Sequence, residues 1–81
     1  MEIYEVLTIS YYDGEENVQS DIFAVELDAR DFYRVGVEEL VEYAKQFGWE
    51  ICEGEDIYEI YEEDNYSMRH TSTRINKKLV N

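Results

Sequence analysis

The sequence predicts an α+β domain: a small antiparallel sheet of four or five strands with one main helix, in the order ββαββ(β). Three observations point there. Residues 3–12, "IYEVLTISYY", are enriched in β-branched and aromatic side chains at a period of two. An Asp-Gly pair follows at 13–14, before a second run of the same kind. Further on, Val37, Leu40, Val41, Ala44 and Phe47 recur at steps of three and four, and Gly48 stands where a helix C-cap belongs.

The elements can be taken in order. In the first strand Ile3, Leu7, Ile9 and Tyr11 alternate with Tyr4, Val6, Thr8 and Ser10. "DGEEN" at 13–17 is a hairpin turn, and "NVQSDIFAVEL" is the returning strand, with Phe23, Val25 and Leu27 on one face. "DARDFYRVG" reads as an irregular or short helical connection to the main helix. "WEICEG" is a third strand with Trp49 and Ile51 facing the core. "EDIYEIYEE" is its partner across a turn near Gly54. Within this strand Tyr58 and Ile60 share a face, so they are placed inward, and Glu55, Ile57, Glu59, Tyr61 and Glu63 outward. A fifth strand is expected over about 66–75, followed by a frayed tail.

At 81 residues the chain makes a single domain, close to the size at which one core only just suffices. No apolar run approaches the roughly 20 residues of a membrane helix, and "MEIYEVLTIS" has an acid where a signal peptide carries basic residues. With a single cysteine, Cys52, the expectation is a cytoplasmic protein in a reducing compartment.

Charge is the most informative global property. The net charge is −13, beyond the magnitude of about 2–8 that suffices for solubility. All 20 acids fall in an acidic body, 1–64, against three cations, while the basic segment 65–81 holds Arg69, Arg74, Lys77 and Lys78. Phosphate contacts need surplus cations, so direct binding to nucleic acid or to an anionic membrane is disfavoured and a basic partner is favoured. The partner-binding candidates are Asp13, Glu15 and Glu16 in the turn, Glu38, Glu39 and Glu42 on the helix, and Glu55, Glu59, Tyr61, Glu63 and Asp64 in "EGEDIYEIYEEDNY". Tyr11, Tyr12 and Tyr66 add aromatic contact area.

Enzymatic and metal readings find few parts. His70 is the sole histidine, so a catalytic triad has no visible members and the expectation is a non-enzyme. Cys52 lies between Glu50 and Glu53, which disfavour its thiolate; it is expected to be a small core or half-buried side chain. Neither acidic segment has the spacing of a calcium loop, and His and Cys are too few for zinc, so no metal and no cofactor is expected.

A small, strongly acidic, tyrosine-rich chain of this kind, on the strength of "DGEEN", "VEELVEY" and "EGEDIYEIYEEDNY", resembles the phage-encoded anti-CRISPR and anti-restriction proteins that act as DNA mimics. The resemblance implies a non-catalytic inhibitor that occupies the basic groove of a nuclease or CRISPR effector complex in place of DNA or RNA. The alternative is an accessory or adaptor domain that binds another basic protein surface or assembles with itself, and a homodimer is compatible with either. The basic segment departs from a uniformly acidic mimic; it is expected to form the back of the sheet or to clamp the acidic face of a second copy.

Overall fold

The computed structural model describes residues 1–63 and 69–80. The strands β1 (Glu2–Tyr12) and β2 (Glu15–Phe23) are followed by the helix α1 (Glu26–Phe47) and the strands β3 (Glu50–Glu53), β4 (Ile57–Tyr61) and β5 (Arg69–Leu79). They form one five-stranded sheet in the order β2-β1-β5-β4-β3, with every neighbouring pair antiparallel. The architecture is therefore α+β, with β5 as a full fifth strand at the centre of the sheet.

Hairpin β1–β2 closes as its sequence requires. Tyr12 faces Glu15, and the two residues between them have positive φ, 50° at Asp13 and 93° at Gly14. Paired left-handed residues are the signature of the turn whose twist matches that of the strands it joins, and Asp-Gly is a pair that tolerates it.

The chain leaves β2 earlier than the alternation suggested. Val25 and Leu27 do not continue the strand: Val25 is the extended N-cap of α1 and Leu27 lies in its first turn. The helix is 22 residues long and takes in all of "DARDFYRVG". Ala29, Tyr33, Val37, Leu40, Val41 and Ala44 form one continuous stripe, which Ala29 and Tyr33 extend backwards from the periodic region. Val25 makes no side-chain cap, so the usual start signal is absent; Glu26 and Asp28 in the first turn instead complement the helix dipole. At the other end Gly48 is left-handed, φ 69°, as expected of a C-cap.

The helix lies across one face of the sheet. Val6, Ala29 and Ile75 form one part of the core with Tyr4 and Phe23 packed on it; Ala44, Tyr58 and Ile60 form the other with Val37, Leu40, Val41 and Trp49. Tyr33 touches both. Tyr58 and Ile60 thus point inward as their strand pattern indicated. Trp49 packs on the core, whereas Ile51 shares the inner face with its partner Ile60 but is 44% exposed at the short edge strand.

Strand β5 departs most from expectation. Residues 66–68 lie outside the described residues, and instead of fraying after 75 the strand runs on to Leu79, opposite Glu2. Backbone bonds tie Val80 to Met1 beyond it, with Val80 N–H donating to Met1 O at 2.7 Å. Three of its four basic residues meet acids of the body: Lys77 pairs with Glu2 at 3.2 Å, Lys78 with Glu5 at 3.0 Å, and Arg69 with Asp13 and Glu62. The basic segment is thus the central seam of the sheet, its charge used to hold an acidic chain together.

Candidate partner-binding surface

The eleven candidate residues fall into three groups. Strand β4 and its flanks carry Glu55, Glu59, Tyr61 and Glu63. Glu59 and Tyr61 are half-buried on the open sheet face; Glu55 and Glu63 are exposed on either side of the strand. Asp64 lies outside the described residues. Asp13, Glu15 and Glu16 occupy the hairpin turn, and Glu38, Glu39 and Glu42 are exposed on the second half of α1.

Topology brings two of these groups together. The N-terminal half of α1 packs on Val6 and Ile75 through Ala29, and its C-terminal half reaches the hairpin-turn end, where Tyr12, Tyr43 and Trp49 line one cleft. Glu62 also reaches this end, because Arg69 binds it and Asp13 at once: Nη1 lies 3.0 Å from Glu62 Oε2 and Nε 3.1 Å from Asp13 Oδ1. Glu63 follows directly in the chain. Glu55 lies further along the sheet, in the turn that bonds Gly54 N–H to Ile57 O at 2.8 Å.

Electrostatics separates structural acids from available ones. Glu5 is buried on the open face, accepting bonds from the Ser20 hydroxyl and from Asn76 and pairing with Lys78. These donors, Ser20 foremost, hold its carboxyl down at about 2. Arg30 bridges Glu26 and Asp56, and Arg34 pairs with Glu38 at 3.1 Å. Asp13 and Glu62 press the Arg69 guanidinium further into its charged form. Among the described residues Glu15, Glu16, Asp21, Asp28, Glu39, Glu42, Glu50, Glu53, Glu55 and Glu63 take part in no ion pair. Five of them, Glu15, Glu16, Glu39, Glu42 and Glu63, are candidate residues at the hairpin end or on the half of α1 that lies over it, while Asp21, Asp28, Glu53 and Glu55 lie elsewhere.

Between the helix and the sheet, over β1 and β5, runs a groove that sequence reasoning did not mark. A cleft of about 180 Å³ is lined by Thr8, Gln19, Phe32, Val35 and Thr73, and a second of about 350 Å³ by Tyr12, Tyr43, Trp49 and Thr71; Glu39 and Leu40 line both. Its floor is rich in hydroxyls that bond in cross-strand pairs, Thr8 to Thr73 at 3.3 Å and Thr71 to Ser10 at 3.4 Å. Tyr12 was legible as a contact residue. Tyr43 was not, since it falls outside the apolar stripe of the helix, and Trp49 reads first as core.

Among the described residues no helix covers the opposite face of the sheet. Leu7, Ile9 and Tyr11 lie there beside Val18 and Ile22, which are 58% and 55% exposed. Tyr11 stacks on His70 with ring centroids 5.6 Å apart and nearly parallel planes. Cys52 is exposed on β3, a correction to its expected burial: a four-residue edge strand opposite Glu59 has nothing to cover it. Among the described residues no group of three or more His, Cys, Asp or Glu is placed to hold a metal ion, and no helix is long and apolar enough to cross a membrane.

No protein-family model, curated protein or solved structure matches this chain.

Proposed function

We propose that this protein is a non-catalytic acidic inhibitor that binds the basic nucleic-acid-binding groove of a nuclease or CRISPR effector in place of DNA or RNA. The observation that supports it is the grouping of unpaired carboxylates. Glu15, Glu16, Glu39, Glu42 and Glu63 come from three separate elements to one end of the molecule, against Arg69, which is already paired, and Lys45. Holding like charges together costs stability, and the ion pairs of the hairpin and helix, Arg69 with Asp13 and Arg34 with Glu38, leave these five carboxylates outside them. A groove lined with lysine and arginine, which ordinarily takes phosphates, supplies the missing countercharge.

The test is a charge-neutralised variant, Glu15→Gln, Glu16→Gln and Glu63→Gln together. All three are exposed, so the fold should persist. The expected result is at least about a tenfold loss of affinity for the target, equivalent to roughly 1.4 kcal/mol, with DNA binding by that target restored. Binding should also weaken steeply with salt, because exposed charges are screened beyond about 8–10 Å at 0.1–0.15 M. Undiminished inhibition by the triple variant would remove the hairpin end from the interface.

A second reading, an adaptor or self-assembling domain, draws on the open sheet face. Val18 and Ile22 beside Leu7 and Ile9 leave an apolar strip uncovered on an otherwise acidic molecule. The two readings separate on competition with DNA: the adaptor binds its partner without displacing nucleic acid.

A further inference from the structure

We propose that the cleft between Tyr12, Tyr43 and Trp49 is a receptor for an arginine side chain. Its source, a basic partner protein, rests on the function proposed above; the chemistry of the site does not. The cleft encloses about 350 Å³, enough for one long side chain but small for a cofactor. Three aromatic rings form its walls, Glu39 lines it and has no ion-pair partner among the described residues, and Ser10 and Thr71 offer hydroxyls on the floor. Tyr43 has ring neighbours on two sides, 5.0 Å from Trp49 in an edge-on contact and 4.5 Å from Phe47.

This combination selects a particular chemistry. Aromatic faces attract cations, and a planar guanidinium stacks on them while its edge still donates hydrogen bonds to a carboxylate and to hydroxyls. Tyr12 already displays that preference within the chain: the guanidinium carbon of Arg69 lies 4.9 Å from its ring centroid. A neutral ligand would gain no charge attraction from the Glu39 carboxylate, and a metal ion would find one carboxylate where several ligands are needed. The narrower cleft beside Thr8 and Gln19 continues past Glu39, giving the backbone that carries the arginine a track along the helix.

Trp49 is the only tryptophan, so its emission reports on this cleft alone. The full-length protein would be titrated with the peptide acetyl-Gly-Ser-Arg-Ser-Gly-amide, and with counterparts carrying lysine or the neutral isostere citrulline. The expected result is a saturable change in Trp49 emission with the arginine peptide. Lysine should bind several-fold more weakly and citrulline about tenfold more weakly. Glu39→Gln should weaken the arginine peptide about fivefold, in keeping with loss of one charge-assisted bond, while Glu53→Gln, exposed on β3 and outside the cleft, should change it less than twofold. Circular dichroism of each variant checks the fold. Equal binding of citrulline or lysine, no response to arginine, or indifference to Glu39→Gln would overturn the proposal. The peptide titration judges the cleft by itself, and target inhibition by the hairpin variant judges the inhibitor reading, so either can fail alone.

Discussion

Arg69 grips Asp13 with two guanidinium nitrogens, Nε 3.1 Å from Oδ1 and Nη2 3.2 Å from Oδ2, across 56 residues of sequence. The same guanidinium reaches Glu62 at 3.0 Å and lies over the Tyr12 ring. One cation therefore ties the hairpin turn to the end of β4 where like charges would otherwise push them apart. Replacing it with leucine leaves Asp13 and Glu62 facing each other unneutralised. The expected result is a modestly lower Tm, because partly solvated ion pairs contribute little. The deficit should shrink in about 0.5 M salt, where the residual repulsion is screened; thermal melts at two salt concentrations check both statements.

Glu5 predicts an acid-sensitive component of stability. Its carboxyl is held at about 2, below its ordinary 4.5, by Ser20, Lys78 and Asn76. The charged form is favoured in the folded state, so the stabilisation is complete above about pH 4.5 and fades as pH falls towards 2. Glu5→Gln should lower stability at neutral pH by roughly 2 kcal/mol, the scale of charge-assisted bonds lost. It should also flatten the pH dependence in that window. Urea melts from pH 7 down to 2.5 would show it.

Two glycines of the helix should respond in opposite directions to alanine. Gly48 sits at φ 69°, which L side chains adopt only with strain, so Gly48→Ala should cost about 1 kcal/mol. Gly36 lies inside α1, and an added Cβ would meet Thr73 Oγ1 at 4.0 Å, an ordinary contact. Gly36→Ala should therefore stabilise by about 0.5–1 kcal/mol through helix propensity. Chemical denaturation of the pair measures both signs in one experiment.

Some of this was legible in the sequence for clear reasons. Asp13-Gly14 encodes its turn in two residues, Gly48 its cap in one, and the apolar centre of Tyr58 and Ile60 orients β4 without knowledge of its neighbours. The start of α1 was not legible: Val25 offers no capping side chain, and Val25 and Leu27 extend the alternation of β2 by accident. Nor was the central place of β5. Its inward side chains are mostly polar, with Thr73 and Ile75 alone buried, and its place is marked by a ladder with β1 and by pairing of its cations with acids 56 to 75 residues away. The acids were visible one by one, but their grouping at the hairpin end depends on where the helix finishes, which only the fold decides.

If this acidic surface stands in for nucleic acid, its partner must lose DNA on binding it. The tagged protein would be used to capture its partner from a bacterial extract at about 0.1 M salt, and the purified partner's DNA binding would then be titrated with and without the protein. The account predicts a nuclease or effector that loses its DNA in proportion to the amount bound, and keeps it when Glu15, Glu16 and Glu63 are all glutamine. A captured partner that binds DNA equally well in the presence of saturating protein would contradict it.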